Sequence, residues 1–381
     1  LGLNMEIKMP NINFDFIHKY RRDKPKRKMP GKVVAVDVGS FALKLIEVKL
    51  GKNPEITKVV YHPWSQAVVN ADEEEVFRNP YLFHEFAQVL QDHHIKNRDF
   101  YVAAASKDII MRPFIFPASI PTYEIRKLLE FNIEDQIPYP LEDVYYDYSV
   151  VKRDDKGLHI QTFATQRFHV DNMISFYNAL QRNLRSVNIY PMMLRQAIEI
   201  NNEATQSSNS LLIIVNIGAA QTEIVIYGKS EILFLRTIDL GGDNFTVALS
   251  HYYEGDGAEI ERVKHENGLI GAMDLPEVMG VQNELFNNIW DAIQYVTSRN
   301  QNYEVFDIML TGGSASLKGL ASKLRRFIEV QVHNPSDMTM VEVQVFNPFQ
   351  NLNVAADIDL EAYRTLISSF AAVVGLAYGG V

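Results

Sequence analysis

The 381-residue sequence contains no cysteine. A disulfide framework, a thiolate metal site and a cysteine nucleophile are therefore excluded, and the composition fits a reducing compartment. Long apolar runs are lacking too. The longest, Leu366–Val381, is broken by Ser368, Ser369 and several glycines and falls short of the roughly 20 residues a membrane-spanning helix needs. No signal peptide is expected, because the basic start has neither an apolar centre nor a small-residue cleavage site. Positive charge is scarce outside that start. Residues 1–30 hold eight Lys/Arg against three Asp/Glu, a net of +5, and the rest holds 29 against 44, a net of −15. An acidic body argues against nucleic-acid binding. The basic arm suits an anionic membrane surface or an acidic partner, or is simply a solvated terminus.

What is present is an ordinary globular balance, with 47% hydrophobic and 22% charged residues. This length suggests two or three domains. Residues 1–31 read as the arm. The folded body opens with the apolar, β-branched run 33–38, a turn at Gly39-Ser40, and alternating strands at 43–49 and 55–61. A helix over 80–91 and a strand over 99–105 follow. Residues 109–185 read as a separate α+β module: a strand at 110–116, a helix at 122–136 capped by Thr122, a hairpin around Asp154-Asp155-Lys156-Gly157, and a helix at 169–184. A strand at 186–190 and a helix from Pro191 return to the first unit, and the polar stretch 203–210 reads as a linker. The opening pattern then recurs. A strand at 211–215, a turn at Asn216-Ile217-Gly218-Ala219-Ala220, and strands at 222–227 and 231–237 repeat residues 33–61. Helices are expected at 243–253, 258–266, 276–300, from Leu317, and at 359–377. The division is 32–108 with 186–205 as one lobe, 109–185 as the insert and 206–381 as the second lobe. A duplication of this kind implies two similar α/β lobes facing a cleft.

Three glycine turns follow apolar strands: Asp37-Val38-Gly39-Ser40, the turn at 216–220, and Thr311-Gly312-Gly313-Ser314. Glycine lets backbone approach a ligand and lets amides converge on an anion. Two facing hairpins can clamp a polyphosphate, and a carboxylate beside them can hold Mg2+ through water. The third turn can receive a base and ribose. Lys44 either approaches a phosphate or faces solvent. Asp92-His93-His94 reads as a polar helix end rather than a metal site, and Asp72-Glu73-Glu74-Glu75 as a solvated acidic run. No Walker loop, serine elbow or paired zinc motif is present.

With these turns the chain resembles the actin, heat-shock-chaperone and sugar-kinase superfamily. Within it the chain is most similar to the PilM family, actin-like proteins of type IV pilus assembly. Asp37–Glu47 resembles the first loop D-I-G-S-S-S-V-K-L-V-E. Phe131–Pro140 resembles a run E-x-x-x-x-I-P-F-P in the insert, and Thr311–Leu320 an adenosine loop T-G-G-x-A-x-L-x-G-L. Glu261 and Lys264 fall where that family has E-x-x-K. The resemblance covers about 32–380. It implies an α/β actin-like (ribonuclease H-like) fold with duplicated lobes and a small inserted α+β domain. It implies ATP with Mg2+, held by Asp37, Gly39, Ser40, Lys44, Asn216, Gly218, Ala219 and Thr222 at the phosphates. Glu261, Lys264, Gly312, Gly313 and Ser314 would face adenosine, with Asp37 the Mg2+ residue through water. Two departures matter. Phe41 and Ala42 replace serines, and Asn216 stands where the superfamily has Asp, which weakens Mg2+ binding and argues for little or no hydrolysis; against that, Asp37 remains, and Asp239 and Glu223 are candidate carboxylates near the cleft.

The same resemblance implies a scaffold on the cytoplasmic side of the inner membrane, associated with it indirectly. Its partner would be the N-terminal peptide of a PilN-like membrane protein, bound at the insert. Phe114, Phe116, Tyr139, Tyr145, Tyr146 and Tyr148 either line that groove or fill the insert's core. Pilus motor or platform proteins and self-association stay open. An FtsA-like filament former would carry an amphipathic tail, and 371–381 lacks basic residues. A small-molecule kinase would need a catalytic carboxylate on its acceptor. A type II secretion L-type domain would be followed by a membrane segment. The arm's apolar part, 12–16, is a candidate occupant of the partner groove.

Overall fold

The computed structural model describes residues 31–69, 73–104, 108–201, 210–228, 231–267, 275–299, 303, 305–332 and 340–379. The arm, most of the 203–210 linker and the side chains of the 72–75 acidic run lie outside the described residues.

β1 (Lys32–Val38) buries Val33, Val34, Ala35 and Val36 in succession. Both its faces are covered, as an unbroken apolar run implies. β2 (Ala42–Lys49) and β3 (Glu55–Pro63) fold back antiparallel, and β4 (Asp99–Ala104) lies parallel on the other side of β1. The chain then builds a small antiparallel sheet from β5 (Ile110–Phe116), β6 (Val144–Asp154) and β7 (Gly157–Gln166), ordered β5-β7-β6. β8 (Asn183–Ile189) returns beside β4, giving β3-β2-β1-β4-β8. The second sheet holds β9 (Ser210–Ile217), β10 (Thr222–Gly228), β11 (Glu231–Ile238), β12 (Val305–Thr311) and β13 (Met340–Val345), ordered β11-β10-β9-β12-β13. The two five-stranded sheets have the same strand order and the same senses, three antiparallel strands followed by two parallel ones. The internal duplication is therefore present in three dimensions.

The insert differs in detail from expectation. Its first helix is shorter, Ile125–Asn132, flanked by single 3-10 turns at Thr122–Glu124 and Glu134–Gln136, and Thr122 does not cap it. The residues before Pro138 cannot stay helical comfortably. The helix buries Ile125 and Leu129 against Leu158 and Ile160 of β7. Helix Arg167–Ala179 leaves the insert's sheet. It places Phe176 and Tyr177 edge-on to Phe86, inside the first lobe's core.

The closing segment also differs. In place of one helix over 359–377, there are 3-10 turns at Glu361–Tyr363 and Ile367–Phe370 and a helix only at Ala371–Gly379. The Ser368 hydroxyl donates to the Gly312 carbonyl at 2.8 Å and the Ser369 hydroxyl to the Leu366 carbonyl at 2.6 Å. Such side-chain bonds compete with helix continuation. The final helix packs on helix Tyr190–Ile200, and Phe370, Val373 and Val374 join the first lobe's core. Val354 pairs with Ile56 at the edge of β3. Residues 354–379 thus pack with the first lobe, although the sequence reading gave 206–381 to the second. No helix among the described residues is long and apolar enough to cross a membrane.

Candidate functional site

The duplicated hairpins present matching turns. The Gly39 N–H donates to the Ala42 carbonyl at 3.1 Å, and the Gly218 N–H donates to the Gln221 carbonyl at 2.9 Å. The first turn is pinned by Trp64, whose indole N–H donates to the Gly39 carbonyl at 2.9 Å. The second is pinned by the start of helix Gly242–Ser250, where the Gly242 and Asp243 amides each donate at 2.9 Å, to Gly218 and Ala219 carbonyls respectively. The third turn threads against the second. Gly312 has φ +90°, and a Cβ there would lie 2.3 Å from the Ile217 carbonyl oxygen. Only glycine fits such a conformation and approach.

One cleft is lined by all three turns. Of the residues singled out from the sequence, Asp37, Gly39, Ser40, Lys44, Asn216, Gly218, Ala219, Glu261, Gly312, Gly313 and Ser314 line it. Thr222 and Lys264 do not. The Thr222 hydroxyl is buried and donates to the Leu240 carbonyl at 2.6 Å, so its role is to hold the strand to the loop before helix Gly242–Ser250. Lys264 is buried beneath that helix. Its ammonium donates to the Gly242 carbonyl at 3.0 Å and the Thr246 hydroxyl at 2.9 Å, and pairs with Glu261 at 2.6 Å.

The charges are arranged by strand register. Asp37 on β1 is opposite Lys44 on β2, and Asn216 on β9 is opposite Glu223 on β10. In the first hairpin this makes a salt bridge of 2.7 Å, with Lys44 in the space a side chain at Gly39 would fill. The other Asp37 oxygen accepts from the Tyr190 hydroxyl. Burial, then the charge of Asp37, push the Tyr190 phenol well above its usual range, so it remains a neutral donor. In the second hairpin the charge has moved to the neighbouring strand. Asn216 is neutral and accepts from the Thr311 hydroxyl at 3.3 Å, while Glu223, 5% exposed, lines the cleft. Asp239 is spent on the Gln221 amide at 2.7 Å. Toward the third turn, burial works to raise the Glu261 carboxyl. Hydrogen bonds from His265, Lys264 and Thr246 outweigh it and hold the carboxyl at about 2.

Tyr190 was not singled out from the sequence. The only local signal was its place ahead of Pro191 at a helix start. Of the two carboxylates the sequence offers near the cleft, Glu223 lines it and Asp239 does not; Glu223 is related to Asn216 by the same seven-residue spacing that relates Lys44 to Asp37. The aromatics named for a partner groove pack instead against hydrophobic cores. Phe114 and Phe116 stack on each other, Tyr139, Tyr146 and Tyr148 lie against the insert's own apolar residues, and Tyr145 joins the first lobe. The exposed apolar side chains of the insert are Ile115, Tyr123, Phe131 and, on its flanking helix, Phe168. His93 and His94 close helix Pro80–Asp92, and no cluster of three or more metal-ligating side chains occurs among the described residues.

Comparison with known proteins agrees with this architecture. A solved structure described as a PilM-PilN type IV pilus biogenesis complex is similar at 22% identity, over 92% of this chain and 98% of that one, with a TM-score of 0.75. The ethanolamine utilization protein EutJ of Carboxydothermus hydrogenoformans matches more loosely, at 14% identity over 95% and 94% of the two chains, with a TM-score of 0.46. MreB5 of Spiroplasma citri bound to ADP matches at 11% identity over 90% and 94%, with a TM-score of 0.45. The first likeness establishes the actin-like fold. The model of the family described as type IV pilus assembly protein PilM matches residues 35–380, and the chain belongs to that family.

Proposed function

We propose that this protein is an actin-like scaffold of type IV pilus assembly that holds ATP with Mg2+ in the interlobe cleft. It binds the cytoplasmic N-terminal peptide of a PilN-like inner-membrane protein through its inserted module, about 109–185, and so associates with the membrane indirectly. The observation that carries the nucleotide reading is the convergence of three glycine turns from duplicated lobes on one cleft. The residues present fit the ligand. Mg2+ usually takes one or two carboxylates plus phosphate and water. The cleft offers Asp37 and Glu223 on its two hairpins, with Lys44 lining the same cleft opposite Asp37. When bound, Mg2+ would neutralise phosphate charge, and Asp37 would hold it through water. Asn216 supplies no charge to activate a water, so hydrolysis is slow or absent.

Family membership and the complex described for its relative support the peptide reading. Exposed Tyr123 and Phe131 offer apolar anchors at the insert's surface. Fluorescence anisotropy with a labelled N-terminal peptide of the cognate PilN-like protein tests this. Tyr123→Ala and Phe131→Ala should weaken binding about tenfold or more, while unchanged affinity in both would remove the insert from the interface. No observation favours the FtsA-like or kinase alternatives.

A further inference from the structure

We infer that Tyr190 is a positioning residue for the Mg2+-nucleotide, acting through Asp37; this rests on the nucleotide reading above. Asp37 is 2% exposed and uses both carboxylate oxygens, Oδ2 toward Lys44 at 2.7 Å and Oδ1 as acceptor of the Tyr190 hydroxyl. Lys44 is a flexible ammonium that a phosphate can draw away. Tyr190 cannot follow it. Its backbone begins helix Tyr190–Ile200, directly after β8, and that turn of helix is gripped from two sides. The Tyr227 hydroxyl of the second lobe donates to the Pro191 carbonyl at 2.6 Å, and the Arg195 guanidinium lies 4.9 Å from the Tyr227 ring centre. On the other side, Gly375 sits so close to the Met193 carbonyl that a Cβ would come within 1.8 Å of its oxygen. When Lys44 turns to a phosphate, Tyr190 keeps Asp37 in one rotamer with Oδ2 open to a cation-bound water. The same bond ties the cation side of the cleft to the helix that joins the lobes. Groups that orient ligands of this kind are worth about 10–100-fold in metal affinity.

The test is ATP titration of the full chain and of Tyr190→Phe, each with Mg2+ and with EDTA. Tyr190→Phe should bind ATP about tenfold more weakly with Mg2+ and nearly as well as wild type with EDTA. In an Asp37→Asn background the Tyr190→Phe change should have no further effect on the Mg2+ to EDTA ratio. A purely structural tyrosine would lower both affinities alike, or the melting temperature alone. An unchanged ratio in a protein that binds ATP overturns the inference and leaves the nucleotide reading standing. If Tyr190→Phe does not fold, Tyr227→Phe, which loosens the same helix turn, should lower the ratio in the same direction, and an unchanged ratio there overturns the inference. Absence of ATP binding to wild type overturns both readings.

Discussion

At the scale of single residues, the cleft's chemistry is decided by which strand carries a charge. Lys44 faces Asp37 across one hairpin and Glu223 faces Asn216 across the other. Asn216 therefore leaves one strand uncharged at this point while the adjacent strand carries Glu223. Glu261 shows the opposite device, a carboxylate surrounded by donors. Its hydrogen bonds to His265, Lys264 and Thr246 hold it at about 2, against 4.5 for an ordinary glutamate. A carboxyl depressed in the folded state stabilises the fold above its unfolded value, and that stability is lost as pH falls through the folded one. Glu261 thus contributes fully above about pH 5, and the contribution fades between there and pH 2. Glu261→Gln should be less stable than wild type at pH 7, with the gap closing by pH 2 in urea unfolding curves. A gap independent of pH would mean that Glu261 is not held ionised in this way.

At the scale of elements, the three turns are built by close backbone approach. Gly312→Ala places a Cβ against the Ile217 carbonyl in a left-handed conformation. It should destabilise the protein by about 1–3 kcal/mol and displace the third turn from the second. Chemical denaturation reports the first effect and loss of ATP affinity the second; a variant with wild-type values for both would show that the two turns are not packed as described. These turns were legible in the sequence because β-branched runs ending in glycine have few other readings. Other elements were not. β13 has only Val341 buried, and it becomes a strand by pairing in parallel with β12, a partner its own residues do not specify. The closing helix was misread because its apolar content is high on all sides, while Ser368 and Ser369 bond backbone and break it. Tyr190 owes its position to the return of β8 beside β4, which is set by tertiary pairing.

At the scale of the whole molecule, the parts share an apolar core and are also joined by specific polar contacts. The insert meets the second lobe through Gln161 on β7, whose side-chain amide donates to the Ile232 carbonyl at 2.8 Å. Ile232 lies on β11, an edge strand, so Gln161 satisfies part of an edge that would otherwise lack a neighbour. The Tyr227 to Pro191 bond and the final helix fasten the second lobe and the closing segment to the first. The proposed partner site on the insert and the proposed nucleotide site in the cleft therefore lie on connected bodies. On the proposed reading, the cleft is a nucleotide site built on Asp37. The most direct measurement is calorimetric titration of the full chain with ATP and Mg2+, beside Asp37→Ala and Asn216→Asp. Saturable binding to wild type, lost in Asp37→Ala and tightened by up to about tenfold in Asn216→Asp, is the predicted result, whereas a folded wild-type protein that takes up no ATP would contradict it.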